Sequence, residues 1–202
     1  MVRLMDEHGI ERAVAGGNSL GGHVAARMAL AFPDRVTGMV LTGSSGLFER
    51  GFERSVPRRP TEDYIRTRMA EVFHDPVHCT PELVKDVSGI LCDLRRVMKM
   101  VRLASCARRD NLRDLLPRLT CPALLVWGRE DRVTPLATAE EFARLMPNAR
   151  LHILEECGHV PMVEQPHAFE LLLAEFLEGL DAKSATAGVP PRALVRPQLT
   201  AA

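Results

Sequence analysis

The run Gly17-Asn18-Ser19-Leu20-Gly21 restricts this chain more than any other feature. It lies between a short apolar run, residues 11–16, and a stretch with a helical period. Leu20, Val24, Met28 and Phe32 recur there every fourth residue, and Pro33 ends the pattern. A serine between a strand and a helix occupies a tight turn that projects its hydroxyl beyond the sheet. Gly17 and Gly21 read as positions where side chains would clash across that turn. The helix behind Ser19 places the Leu20 backbone N–H, and the positive end of a helix dipole, where an oxyanion would form. A hydroxyl is a weak nucleophile, so it needs a base, and the base needs an orienting carboxylate.

Both partners are present downstream. Asp131 follows the apolar run 122–127, and His159 follows the strand-like segment 150–154. Loops beyond the carboxyl ends of parallel strands converge on one edge of a sheet. Glu130 competes with Asp131, and Asp131 also reads as a turn carboxylate ahead of Thr134-Pro135. His152 inside a strand and His167 at a helix start read as ordinary surface or core histidines. Asn18 either binds substrate or holds the turn.

Strands at 11–16, 36–42, 122–127 and 150–154 alternate with helical patterns, so the expected class is α/β with a parallel sheet. Residues 1–46 and 116–180 read as two parts of one core, interrupted by an arginine-rich helical insertion at 47–115. Within it Thr61 and Thr80-Pro81 are helix starts. One long helix runs from Leu83 to Val101, with Gly89 as its expected break or kink. Phe169, Leu172, Leu173, Phe176 and Leu177 mark the last helix. Residues 181–202 carry three prolines and no apolar period, and are expected to be disordered.

Composition removes several function classes. Lys and Arg number 26, as do Asp and Glu, so no net charge draws the chain to nucleic acid or an anionic membrane. One Tyr and one Trp leave little for base stacking. No apolar run approaches the roughly 20 residues of a membrane helix. The charged N-terminus has no signal-peptide core. Five cysteines without a CxxC pair fit a reducing cytosol better than disulfides or zinc. His74, His78 and Cys79 are close in sequence, but Pro76 interrupts them, so no metal is expected. Six basic residues and no acidic one lie between Arg95 and Arg109. They form a solvated face, or one of Arg95, Arg96 and Arg102 pairs with a substrate carboxylate.

Three segments together resemble the capped, serine-nucleophile branch of the α/β-hydrolase superfamily. GGNSLGGHVAARMALAFPDRVTGMVLTGSSG is similar to its nucleophile elbow, following helix and next strand. CPALLVWGREDRVTP is similar to its acid segment, and LHILEECGHVPMVEQPHAFELLLAEFL to its histidine segment and closing helix. The order Ser19, Asp131, His159 is that of the elbow class. The resemblance implies a cofactor-free serine hydrolase with Ser19 as nucleophile, His159 as base and Asp131 as orienting acid. Its substrate would be a small ester or a C–C-bonded keto acid, processed through an acyl-enzyme or related intermediate beneath a cap formed by 47–115. The GNSLGG form is similar to hydrolases that cleave carbon–carbon bonds in ring-fission products, although Val160 stands where those carry tryptophan. Family members have several strands and a His-Gly loop ahead of the elbow strand, whereas about ten residues precede it here. The expectation is therefore the C-terminal portion of a longer hydrolase, or a half completed by another chain, including a second copy; the rival to an active serine hydrolase is a fragment inert alone. The elbow strand would be an unpaired edge. The oxyanion would keep only the Leu20 N–H, and loss of one donor costs roughly 10²–10³ in rate.

Overall fold

The computed structural model describes residues 1–48 and 60–186, with side chains through residue 182. The expectations for 49–59 and 187–202 lie outside the described residues. The elements are α1 (Val2–Glu7), β1 (Ala13–Asn18), α2 (Leu20–Ala31), β2 (Val36–Thr42), α3 (Glu62–Met69), α4 (Pro81–Cys92), α5 (Leu94–Arg109), β3 (Ala123–Gly128), α6 (Leu136–Leu145), β4 (Ala149–Leu154), α7 (Pro161–Glu164) and α8 (Pro166–Thr186). The four strands form one parallel sheet in the order β1-β2-β3-β4. Thr42 pairs with both Asn18 and Val126, and Val126 pairs with His152. The carboxyl ends are thus brought level, and every strand-to-helix loop opens on the same edge.

Strand alternation divides the core cleanly. Met39, Leu41, Ala123, Leu125 and Trp127 face α2 and α6, meeting Ala25, Ala26, Met28, Ala29, Ala139 and Phe142. Val40, Leu124 and Val126 face α8, meeting Phe169, Leu172, Leu173 and Phe176. Strands covered on both faces explain why β2 and β3 read as continuous apolar runs rather than alternating ones. Among the described residues β1 pairs only with β2, so it is the edge strand expected for it.

Three expectations change. The buried face of α2 is built from Gly22, His23, Ala25, Ala26, Met28 and Ala29, while Val24 and Phe32 are exposed. Small residues let the helix approach the sheet closely, and the every-fourth-residue stripe points largely away from it. The long helix is two helices, and the break is at Asp93 rather than Gly89. The Asp93 carboxylate accepts the Arg95 and Arg96 N–H groups at 2.9 and 3.2 Å, which starts α5 as a new helix. Val84 in α4 is buried, but α5 buries no residue, and Leu94, Met98 and Val101 are exposed. Finally, α8 continues through 181–186, where the sequence pattern predicts a disordered tail.

Thr61 and Thr80 do cap α3 and α4, accepting the Tyr64 and Leu83 N–H groups, both at 3.2 Å. These helices share a small core of Ile65, Met69, Phe73, Cys79 and Val84. A β-carbon at Gly89 would meet nothing within 4 Å. Gly89→Ala is therefore expected to stabilise the chain by about 0.5–1 kcal/mol, read from the denaturation midpoint. A kink that required glycine would give a loss instead.

Candidate active site

Ser19 has φ 52° and ψ −119°, a strained conformation for a residue with a side chain. Such strain costs on the order of 1–3 kcal/mol and persists only where the surroundings enforce it. The Ser19 N–H donates to Thr42 O at 2.9 Å, and its carbonyl accepts the Ser45 N–H at 3.0 Å and the Gly22 N–H at 3.1 Å. The turn is closed by contact as well. A β-carbon on Gly17 would lie 2.2 Å from the Gly21 carbonyl carbon, and one on Gly22 would lie 2.5 Å from Ser44 Oγ. Gly21 itself has open space at its β-carbon position, so the second glycine the turn requires is Gly22, not Gly21. Leu20 is the first residue of α2, and its N–H has no carbonyl partner within the helix.

Asp131 and His159 come together across 28 positions of sequence. Both are buried, and His159 Nδ1 lies 2.9 Å from Asp131 Oδ2. Asp131 Oδ1 accepts the Val133 and Thr134 N–H groups, both at 2.8 Å, and Oδ2 also accepts the Thr134 hydroxyl at 2.8 Å. The acid loop is further held by Trp127 Nε1, which donates to Thr134 O at 2.8 Å. Glu130, the competing carboxylate, turns away and accepts the Cys157 N–H at 3.0 Å. The two loops cross so closely that a β-carbon on Gly128 would lie 2.1 Å from the carbonyl oxygens of Cys157 and Gly158.

Asn18 joins these parts. Its Nδ2 reaches Thr42 O and Thr42 Oγ1 at 3.1 Å and donates to His159 O at 2.8 Å. These contacts hold the turn, as one of its two sequence readings has it. Gly43, with φ +46°, lies against the imidazole, where a β-carbon would be 2.6 Å from His159 Nδ1. The end of β2 therefore sits between the serine turn and the histidine. No direct hydrogen bond joins Ser19 Oγ to His159, a contact that in ligand-free sites commonly tightens only with substrate bound.

Thr134, Trp127, Gly43, Gly128 and Gly22 are parts of this site that sequence reasoning does not single out. Only Thr134 carries a signal, since Asp-x-x-Thr is a spacing in which a carboxylate caps its own turn. Cys157 beside His159 is buried, and burial, with the Glu164, Glu130 and Asp131 carboxylates nearby, pushes its thiol up to about 12. It stays neutral at physiological pH and is no nucleophile. A second histidine–carboxylate contact lies one helical turn beyond Ser19. Buried His23 Nε2 is 3.1 Å from Asp110 Oδ2, which Arg27 Nε also approaches at 3.2 Å. It ties α2 to the end of α5.

Arg95, Arg96 and Arg102 are exposed on α5, and Arg96 turns back to Asp93 at 3.3 Å. No hydrogen bond or ion pair joins any of the three to Ser19, Asp131 or His159. His78 packs beside the Phe73 ring and Cys79 is buried in the α3–α4 core. Among the described residues no three His, Cys, Asp or Glu side chains cluster as metal ligands, and no helix is long and apolar enough to cross a membrane.

A profile described as the alpha/beta hydrolase family matches residues 2–170. The chain belongs to that family. It is 32% identical over 190 residues to a 2-hydroxy-6-oxononadienedioate/2-hydroxy-6-oxononatrienedioate hydrolase from Pseudomonas sp, covering 86% of this chain and 66% of that protein. It is 30% identical to a 2-hydroxy-6-oxo-6-phenylhexa-2,4-dienoate hydrolase from Comamonas testosteroni, covering 86% of this chain and 65% of that one. Among solved structures, a meta-cleavage product hydrolase from Pseudomonas fluorescens IP01 superposes with TM-score 0.72 at 26% identity, covering 88% of this chain and 69% of that one. An alpha/beta hydrolase from a lagoon-sediment metagenome gives TM-score 0.68 at 32% identity, covering 89% and 67%. The chain thus spans slightly less than two thirds of the length of the two named sequence relatives.

The Asp131 contact is expected to set the imidazole tautomer. In the native chain the proton is expected on Nδ1, facing the carboxylate. In Asp131→Asn the carboxamide oxygen keeps the loop N–H groups and its NH₂ faces the ring, so the proton should move to Nε2. Nitrogen-15 NMR of His159 reads this directly, with the fold intact in both.

Proposed function

We propose that this chain carries the catalytic machinery of a serine hydrolase acting on a small ester or a C–C-bonded keto acid. The observation that carries the reading is His159 Nδ1 at 2.9 Å from the buried Asp131 carboxylate, beside a serine held at φ 52°. Asp131 fixes the tautomer that leaves His159 Nε2 free to take the Ser19 proton. Ser19 Oγ then attacks the substrate carbonyl, and the developing oxyanion accepts the Leu20 N–H at the start of α2. Collapse of the tetrahedral intermediate expels the leaving group, which takes the proton held on His159. In an ester the leaving atom is an alkoxide oxygen; in a β-dicarbonyl-like keto acid it is an enolate carbon. Water, activated by the same His159 Nε2, hydrolyses the acyl-Ser19 and restores the enzyme. No step calls for a metal or cofactor.

The two named sequence relatives act, by their names, on 2-hydroxy-6-oxo dienedioates or trienedioates and on a 2-hydroxy-6-oxo-6-phenyl dienoate, which favours the keto-acid reading over the esterase one. Val160, which stands where those carbon–carbon hydrolases carry tryptophan, packs against the cluster of Ile65, Met69, Phe73, Cys79 and Val84. Helices α3 to α5 act as the cap in this reading. Arg95, Arg96 and Arg102 on α5 are candidates for a substrate carboxylate. A reducing, cytoplasmic setting fits five cysteines that are all free.

Ser19→Ala is expected to abolish turnover of a p-nitrophenyl ester while the thermal unfolding midpoint holds or rises. Turnover that persists in that variant would remove Ser19 from the chemistry.

A further inference from the structure

Glu164 closes α7, five residues beyond His159. Its carboxylate joins two segments about ninety residues apart in sequence. Oε1 accepts the Gly158 N–H at 2.8 Å, while Oε2 accepts the His74 N–H at 2.6 Å and the Asp75 N–H at 3.3 Å. A parallel contact runs beside it, from the His159 N–H to Val72 O at 2.8 Å. The interface is tight, since a β-carbon on Gly158 would lie 2.6 Å from Val72 O and 2.7 Å from the His74 nitrogen. Val160 adds an apolar contact to the α3–α4 core. Three consecutive residues centred on His159 are therefore gripped by the segment beyond the end of α3.

Hydrogen bonds to a carboxylate are stronger than those between neutral groups, and this one has three backbone donors. Among the described residues no other side-chain hydrogen bond joins the histidine loop to residues 72–75. Asn18 holds the His159 carbonyl from the sheet side. Glu164 holds the preceding amide from the cap side. We infer that Glu164 is a positioning residue, which fixes the His159 imidazole by locking the histidine loop to residues 72–75. The end of α3 cannot lift without displacing His159, so docking of the cap and alignment of the base are one event.

The test is Glu164→Gln in the full chain. Glutamine has nearly the same shape, but its single carbonyl oxygen serves one side of the bridge and its NH₂ group opposes the N–H donors on the other. Amide hydrogen exchange at His74, Asp75, Gly158 and His159 should accelerate together by about tenfold or more, while amides of β2 and β3 keep their protection. For the kinetic arm, which rests on the hydrolase reading, kcat for a p-nitrophenyl ester should fall by about tenfold or more, with KM moving less than about twofold. Glu170→Gln, an exposed carboxylate on α8, is the control and should change neither. Exchange that accelerates only at His74 and Asp75, with Gly158 and His159 as in the native chain, overturns the inference, as does an unchanged kcat. A native chain that does not turn over the ester sinks the hydrolase reading alone, and the exchange arm still decides the clamp by the same criterion. Should Glu164→Gln fail to fold, Glu164→Asp keeps the charge, shortens the reach by one methylene, and is read the same way.

Discussion

A carboxylate taken out of water must be matched by donors, or its burial costs several kcal/mol. Asp131 is buried at the end of β3 and is met by two backbone N–H groups, the Thr134 hydroxyl and the His159 ring. Three of those four donors come from its own turn, so the acid loop is self-contained once β3 is in place. The fourth fixes where the β4 loop must lie. The near-contact of Gly128 with the Cys157 and Gly158 carbonyls follows from that demand, as does the packing of Gly43 against the imidazole. The parallel register that levels Asn18, Thr42, Val126 and His152 then brings the strained serine turn to the same edge.

The parts of this arrangement legible in the sequence are those written in local chemistry. A strand, a glycine-flanked serine and a helical period specify the Ser19 turn within a few residues. Thr61, Thr80 and Pro81 specify helix starts in the same way. Glu130 and Asp131 are separable only by orientation, because both come after the same strand by nearly the same distance. Which one faces the ring depends on where Cys157 N–H and His159 Nδ1 arrive from β4. Asn18 is ambiguous in sequence for the same reason, since its partners are Thr42 and His159. The break at Asp93 is hidden by the continuous apolar pattern from Leu83 to Val101, which suggests one buried stripe. In the structure that stripe is buried only on α4, and Asp93 caps the start of a separate helix, α5. Glu164 gives no signal at all, because its partners are backbone amides with no sequence identity.

The helical segment meets the rest of the fold at two places, residues 72–75 between α3 and α4 and Asp110 at the end of α5. Residues 72–75 meet the histidine loop through Glu164 and Val72, and Asp110 meets His23 and Arg27 on α2. Between these points α5 buries none of its sixteen residues. Its exposed Leu103 joins Leu20, Val24, Ala25 and Met28 of α2 and Ala15 and Gly16 of β1 around an apolar groove of about 310 Å³. Leu20 thus lines that groove and has its N–H at the serine turn. The groove lies beside β1, which pairs only with β2 among the described residues.

The central claim is that Asp131, His159 and the Ser19 turn act as one unit in this chain. The most direct measurement is the site of modification when the purified chain meets a fluorophosphonate, mapped by peptide mass. The account predicts a single adduct on Ser19, lost in His159→Ala with the fold retained. A chain that stays unmodified, or an adduct elsewhere while Ser19 remains free, would contradict it.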